Sequence, residues 1–184
     1  MKRKILCFFI LIIMLLIGCT GQITKVNPDQ FIQEQTRDEV IVDDFIYRLV
    51  TEKSTYQNEE IVMYAELEYI GEQDNITIYH AASPFHFPMI EKTREYTIEY
   101  GMNEPLISTT LKRGEALREK YRASGGFDLE DTKEYREFMK AIMNKKFPVG
   151  YYLVNGYADF FIEKMGSKPQ EYKIEGQVDF IVEK

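Results

Sequence analysis

The sequence predicts a mainly β protein, a two-sheet antiparallel sandwich of about seven strands with one helix inserted before a C-terminal hairpin. Three observations lead to this prediction. Several stretches after residue 43 alternate apolar and polar residues with the period of two expected of half-buried strands. Residues 128–145 alone carry helix signals at both ends. Residues 151–164 and 171–184 are two long alternating runs, separated by a turn with glycine and proline.

The N-terminus has the pattern of a secretory signal. The sequence MKRK carries three positive charges, and residues 5–17 follow as thirteen apolar residues without a charge. A helix that spans a membrane needs about 20 apolar residues, so this run is too short for a comfortable anchor. We therefore predict a signal peptide over residues 1–18 that is removed.

The residues at the end of this run are Leu16, Ile17, Gly18 and Cys19. They resemble the lipobox of bacterial lipoprotein precursors. The resemblance implies that the Cys19 sulfur receives a diacylglyceryl group, that cleavage makes Cys19 the new N-terminus, and that acyl chains such as palmitate anchor it in a lipid bilayer. Two acyl chains suffice for stable anchoring, at about 0.8 kcal/mol per buried methylene. The alternatives are an ordinary cleaved signal and an uncleaved anchor with a bystander cysteine.

The charge and the cysteine content argue against several classes of function. Removal of residues 1–18 takes three of the 23 basic and none of the 30 acidic side chains, which leaves a formal net charge of −10. This charge argues against binding to nucleic acid or to an anionic lipid face. Cys7 leaves with the signal and Cys19 is lipidated, so no thiol remains for a disulfide, a metal site or a nucleophile. The fold must then depend on its core.

Residues 19–42 are polar and poorly patterned, and we interpret them as the lipidated N-terminus and a tether. Residues 43–184 form the predicted sandwich domain. Its first strand places Phe45, Tyr47 and Leu49 on one face, and the next spans residues 61–69, with Glu66 and Glu68 on the face opposite its apolar residues. Shorter strands are predicted within residues 75–81, 85–90, 94–101 and 105–111, where prolines mark breaks or edges.

The two C-terminal runs resemble each other, because residues 155–164 match residues 175–184 with a constant shift of 20. The match sets the phase of both strands and leaves Tyr157 and Phe161 pointing outward. The side chains predicted to face inward are those of Ala158, Phe160, Ile162, Tyr172, Ile174, Val178, Phe180 and Val182, with Gly176 on the same face.

The predicted helix covers residues 128–145. Asp128 is its expected N-cap, Glu130 and Asp131 suit the first turn, and Lys145 and Lys146 suit the last. An apolar stripe follows helical spacing and consists of Tyr135, Phe138, Met139 and Ile142. Since this stripe needs a sheet face, we expect the helix to cover the outward face of the hairpin; the alternative is that this face binds a partner.

Four short motifs occur in order along the chain. They are Tyr56 with Glu59 and Glu60, Ser83 with Phe85 and Phe87, Leu111 with Gly114 and Glu115, and Pro148 with Gly150 and Tyr152. This order resembles the BsuPI family of bacilli, the intracellular proteinase inhibitors, and lipoproteins that carry such domains. The resemblance implies an immunoglobulin-like sandwich and, from the family name, proteinase inhibition. Asn58 stands where the family has glycine and the helix resembles an insertion, so the resemblance supports the fold more than inhibition.

Patterns typical of enzymes are missing from the sequence. The histidines His80 and His86 lack the spacing of a helical zinc pair, and Pro84 lies between them. The chain has no GxSxG motif and no phosphate-binding glycine loop, and the Glu66 and Glu68 pair is typical of a solvated strand face. We therefore expect no catalytic residue, no metal and no cofactor.

Two function classes remain. The first is a non-catalytic binding module for a protein, a peptide or an envelope component. Its candidate contact residues form an expected exposed aromatic patch and are Phe85, His86, Phe87, Tyr157 and Phe161, together with Tyr151. The second is a proteinase inhibitor at the cell surface, in which the loop at residues 101–109 enters a protease cleft.

The expected location is the extracytoplasmic face of a cell membrane, where the lipid on Cys19 holds the chain to the bilayer. Lysine, isoleucine and glutamate usage without tryptophan is typical of a low-GC Gram-positive bacterium. The expected partner is an envelope protein or peptide, and no nucleic acid.

Replacing Cys19 with serine should abolish lipid labelling and membrane partitioning, because the sulfur that would carry the diacylglyceryl group is removed. Growth with a clickable fatty acid, followed by fractionation, measures both. Cys7→Ser is the matched control, because Cys7 lies within the predicted signal peptide, and it should leave the label in place. Label retained on the Cys19→Ser chain would contradict the lipoprotein prediction.

Overall fold

In the part of the chain that the structure describes, alternating side chains build two packed β-sheets, and one helix lies beside them. The computed structural model describes residues 35–184. The predicted signal peptide, the lipidation site at Cys19 and most of the predicted tether lie outside the described residues. The strands are β1 (Arg37–Val42), β2 (Phe45–Thr51), β3 (Thr55–Gln57), β4 (Met63–Tyr69), β5 (Asn75–His80), β6 (Phe85–His86), β7 (Met89–Glu91), β8 (Tyr96–Ile98), β9 (Ile107–Lys112), β10 (Ala116–Lys120), β11 (Gly150–Ile162) and β12 (Gln170–Glu183), and the helix is α1 (Lys133–Met143).

The strands form a four-stranded and an eight-stranded sheet. Sheet A has the order β1-β2-β4-β10, and sheet B has the order β3-β12-β11-β5-β9, with β6 and β7 also paired to β11 and β8 paired to β7. The strand pairs are antiparallel except β3 with β12. The predicted β-sandwich, with one helix before the C-terminal hairpin, is confirmed.

The described residues contain twelve strands rather than about seven. The excess comes from β3, β6, β7 and β8, which have three residues or fewer. Pro88 separates β6 from β7, because proline has no N–H to donate to a ladder. One predicted strand is thereby divided into two short ones, which both pair with β11.

The core lies between the inner faces of β2 and β4 on one side and of β11 and β12 on the other. Phe45, Tyr47 and Leu49 are fully buried, as the alternation predicts, and so are the apolar positions of β4. The ring of Phe45 packs edge-on against Phe160 and Tyr172, with centroids 4.9 and 5.0 Å apart. Each such aromatic pair adds about 0.5 to 1.5 kcal/mol beyond the area that it buries.

Strands β11 and β12 pair continuously from Gly150, opposite Val182, to Ile162, opposite Gln170. The predicted phase is confirmed, because the eight side chains expected to face inward are buried, while Tyr157 and Phe161 are partly exposed. Gly156 and Gly176 face each other at the centre of the pair. A Cβ atom at Gly156 would lie 2.9 Å from Leu49 and from the Tyr47 hydroxyl, so glycine is needed there for the two sheets to approach.

Strand β1 lies within the stretch that the sequence assigned to the tether, so the ordered domain begins at least six residues before Asp43. Strand β1 contributes little to the core, since most of its residues are exposed. Hydrogen bonds hold it instead: β1 pairs with β2, the Asp38 carboxylate accepts from the Gln177 N–H at 2.8 Å, and Gln35 and Asp179 exchange two bonds of 2.9 Å. Hydrogen bonds of this kind do not require alternating apolar residues, so the sequence carries no strand signal for β1.

Helix α1 is shorter than predicted and begins later. Its N-cap is Thr132, whose hydroxyl accepts from the Tyr135 N–H at 3.2 Å, and not Asp128. Asp128 lies in the preceding turn, where its N–H donates to the Asp131 carboxylate at 2.6 Å. The first predicted turn is therefore replaced by a local carboxylate turn, which acidic residues form as readily as they cap a helix.

The apolar stripe of α1 is partly buried as predicted, with Phe138, Met139 and Ile142 inside. The stripe packs beside β8, where Tyr96 contacts Tyr135 and Phe138 with ring centroids 5.1 Å apart. The Tyr135 hydroxyl also donates to the Thr97 carbonyl at 2.9 Å. The expectation that α1 covers the outward face of the hairpin is therefore wrong, and the part of that face around Tyr157, Asp159 and Phe161 stays accessible in the described domain.

Replacing Phe180 with alanine should lower the free energy of unfolding by about 3 to 5 kcal/mol, because it removes a fully buried ring that packs on Tyr56 and Tyr152. Phe161→Ala is the matched control on the neighbouring strand and should cost about 1 kcal/mol, the value of one ring stack. Urea unfolding of the two variants measures both losses. Equal losses would mean that the inward and outward faces of the hairpin are assigned wrongly.

Candidate functional site

Two stacked ring pairs stand on the outward face of sheet B. The rings of Tyr157 and His86 lie 4.5 Å apart at an angle of 9°, and those of Phe161 and Tyr79 lie 5.1 Å apart at 13°. Both pairs join residues directly opposite each other on neighbouring strands. Such partners have Cβ atoms about 4.5 to 5.5 Å apart, so flat side chains meet face to face. All four rings are partly exposed.

The two stacks are separated by four residues of β11, which is about 13 Å at 3.3 Å per residue. Asp159 lies between them on the same face and is exposed. A groove of about 700 Å³ opens here, lined by β5, β11, β12, His86 and the loop that precedes β9. Pro105 and Leu106 of that loop form part of its lining. Tyr157 is not part of this lining, but it stacks on His86, which is. We call the groove together with the two ring stacks the aromatic groove.

The aromatic groove carries more negative than positive charge. Its lining includes the exposed carboxylates of Glu104, Asp159 and Glu171 and the ammonium of Lys173. Lys173 forms an ion pair with Glu175 at 2.7 Å, and this hydrogen bond raises the pKa of the lysine. Within residues 35–184, no ion pair engages the three carboxylates of the lining. The groove therefore has acidic groups that are open to a ligand.

His86 adds a neutral ring rather than a charge at pH 7. The side chain is half-buried between Tyr157 and Tyr100, and burial lowers the pKa of the imidazole. The carboxylates of Asp159 and Glu104 act in the opposite direction, but their effect on the pKa is smaller. A neutral imidazole suits the stacked position, because it loses less hydration than an imidazolium.

Three of the five candidate contact residues lie together on this face, namely His86, Tyr157 and Phe161. Phe85 and Phe87 do not, because they are 0% and 1% exposed and belong to the core. The alternation within β6 explains the correction: when His86 faces outward, its two neighbours face inward. Tyr151 is also buried, at 3% exposure, and its hydroxyl donates to the Asp179 carboxylate at 2.8 Å.

Sequence reasoning missed Tyr79, Asp159 and the acidic groups around them. The alternation of β5 contains a signal for Tyr79, because buried Ile78 precedes it and so places Tyr79 on the outward face. The ten-residue match similarly places Asp159 outward, and Lys173 lies between the inward positions 172 and 174. No local signal brings Glu104 to the groove, since its loop reaches the site through the pairing of β5 with β9.

The loop that was expected to enter a protease cleft lies at the edge of the aromatic groove. Leu106 is 72% exposed, and Ile107 begins β9. Pro105 and Leu106 line the groove, so this loop and the candidate aromatic residues form one surface rather than two.

The two other residues that the sequence singled out for possible chemistry, His80 and Glu66, have structural partners. The ring nitrogens of His80 lie 2.8 Å from the Ala81 carbonyl and from the Thr109 hydroxyl. Glu66 is not on a solvated face as the sequence indicated: it is 7% exposed, and Arg118 donates to it at 2.6 Å. Among residues 35–184, no group of three or more histidine, cysteine or acidic side chains is arranged to hold a metal ion.

Comparison of the chain with protein-family models, with curated proteins and with solved structures finds no match. Within the described domain, no helix combines the length and the apolar character needed to cross a bilayer.

The wild-type chain should lose stability faster than the His86→Gln chain as the pH falls below about 6.5, the usual pKa of histidine. Burial lowers the pKa of His86 in the folded state, so the unfolded state binds the proton first and gains population on acidification. The stabilising contribution is complete above the unfolded-state pKa and is lost as the pH falls through the folded-state pKa. Thermal melts from about pH 7.5 to about pH 5 measure the difference. Parallel melting curves would contradict the assignment.

Proposed function

We propose that this chain is an extracytoplasmic lipoprotein, anchored in the cell membrane through Cys19, whose sandwich is a non-catalytic binding module for an envelope protein or peptide. The observation that carries the proposal is the aromatic groove on the outward face of sheet B. Its four rings are partly exposed, and three of them, Tyr79, His86 and Phe161, line the groove. Exposed aromatic side chains that line a concave surface are typical of binding sites.

The groove is organised before any ligand arrives, which favours binding over incidental exposure. Each outward ring of β11 already stacks on a partner, so binding has little side-chain entropy left to remove. The strand beneath is held by Ala158 and Phe160, which are buried on its other face. Aromatic anchors on a rigid support often contribute more than about 1 kcal/mol each to an interface.

The N-terminal end of the described domain lies away from the aromatic groove. This agrees with a groove that faces away from the membrane. Gln35, the first described residue, is hydrogen-bonded to Asp179, whereas Glu171 lines the groove. These two acidic residues are eight positions apart on β12, or about 26 Å at 3.3 Å per residue. An anchor on the N-terminal side would thus attach at the opposite end of β12 from the groove.

A second candidate function is proteinase inhibition, and the observation that favours it is Leu106. This leucine is 72% exposed and follows Pro105, so the loop offers a protruding apolar side chain to a protease cleft. The same loop lines the aromatic groove. Binding of a peptide in the groove and docking of a protease on the loop would therefore compete for one surface.

The double variant Tyr157→Ser with Phe161→Ser should capture the cellular partner at least about tenfold less than the wild type, because it removes both anchors that β11 contributes. Its matched control is Ile41→Ser with Val42→Ser, which removes exposed apolar surface from the edge of sheet A. The measurement is crosslinking on intact cells with quantitative mass spectrometry of captured proteins. The control should melt within about 5 °C of the wild type, and the groove variant should melt no more than about 8 °C lower, since it loses two ring stacks of about 1 kcal/mol each but no core.

Equal capture by the groove variant and the wild type, or loss only in the control, would contradict the proposal. The second candidate is tested with the same chains and a Leu106→Ser variant in assays against a panel of serine proteases. Inhibition that Leu106→Ser abolishes would favour proteinase inhibition, and no inhibition at micromolar protein would exclude it for that panel.

A further inference from the structure

We propose that the aromatic groove recognises a cationic side chain, a lysine or an arginine of a basic peptide segment. The proposal rests on the proposed function and specifies the chemistry of its ligand. It is argued from three properties of this surface, namely carboxylates that form no ion pair within residues 35–184, partly exposed aromatic rings, and a cation that already lies over the neighbouring ring of Tyr157.

The carboxylates come from three separate elements and converge on one groove. Glu104 belongs to the loop before β9, Asp159 to β11 and Glu171 to β12. All three are exposed, and within residues 35–184 no ion pair engages them. The one lysine of the lining, Lys173, is already paired with Glu175. A cationic ligand group would therefore meet carboxylates that form no ion pair within residues 35–184.

The ring faces supply the second half of a cation site. The face of an aromatic ring carries negative potential and attracts an ammonium or a guanidinium within about 6 Å of its centroid. The domain shows this interaction itself, because the Lys173 ammonium lies 4.6 Å from the centroid of Tyr157. Phe161 and Tyr79 offer comparable rings at the other end of the groove. His86 adds no opposing charge at pH 7, since burial lowers the pKa of its ring.

Other ligand chemistries fit less well. An acidic peptide would meet three carboxylates and would be repelled by a domain of net negative charge. A neutral sugar would stack on the rings, but it would leave the carboxylates partly desolvated and without a partner of opposite charge. A basic peptide uses both features, and the charge of the domain would steer it to the surface.

The test uses the full chain in non-ionic detergent micelles and a synthetic decapeptide of alternating lysine and glycine. Isothermal titration calorimetry should show binding that weakens as salt is added. A twin peptide with acetylated lysines keeps the length but loses the charge, and it should bind at least about tenfold more weakly, which is about 1.4 kcal/mol.

Asp159→Asn combined with Glu104→Gln removes two charges from the groove without changing side-chain size. This double variant should weaken binding of the lysine peptide by about tenfold, as expected for two partly exposed ion pairs. The matched control is Asp128→Asn with Glu130→Gln, which makes the same change of net charge on exposed residues before α1. The control should keep the wild-type affinity within about twofold, because distant charges act only through screened steering.

Equal affinity for the acetylated and unmodified peptides would overturn the inference, as would equal affinities of the groove variant and its charge-matched control. Failure of the inference differs from failure of the proposed function. If the Tyr157 and Phe161 double variant loses the cellular partner while the Asp159 and Glu104 double variant keeps it, the groove binds the partner but does not recognise a cation. If the aromatic variant keeps the partner, the proposed function itself fails.

Discussion

The pairing of β11 with β12 is the constraint on which the rest of the structure depends. The two strands pair without interruption from Gly150 to Ile162, and alternation along them assigns every side chain to one of two faces. One face supplies Phe160 and Phe180 to the core, and the other carries Tyr157 and Phe161 of the aromatic groove. A shift of one residue would exchange these faces, so the core and the groove are set by a single register.

Several contacts hold that register. Gly156 and Gly176 lie opposite each other and leave room for the ring of Tyr47 from sheet A. At the start of β11, Gly150 lies against the fully buried carboxylate of Glu91, and a Cβ atom would run into that carboxylate. Glu91 accepts from the backbone N–H groups of Thr93 and Arg94 at 2.9 Å, which satisfies a charge that would otherwise be costly to bury.

Features that depend on local periodicity could be predicted from the sequence, and features that depend on long-range polar contacts could not. The phases of β2, β4, β11 and β12 follow from their alternation and agree with the structure. Strand β1 was missed because Asp38 and Gln35 hold it through hydrogen bonds to β12. Helix α1 was overextended because the acidic turn at Asp128 resembles a cap. In the candidate site, His86, Tyr157 and Phe161 were identified as expected outward aromatic residues. Alternation could place Tyr79 outward, but its position opposite Phe161, like the arrival of Glu104 at the groove, depends on strand pairing.

The central claim is that the outward face of β11 is the surface on which a ligand binds. Photo-crosslinking in living cells from a photoreactive amino acid at position 159 tests this most directly, because Asp159 is exposed between the two ring stacks. The same amino acid at position 41, on exposed β1 of sheet A, provides the reference. The account predicts a discrete crosslinked product from position 159 and none from position 41. A product from position 41 with none from position 159 would contradict it.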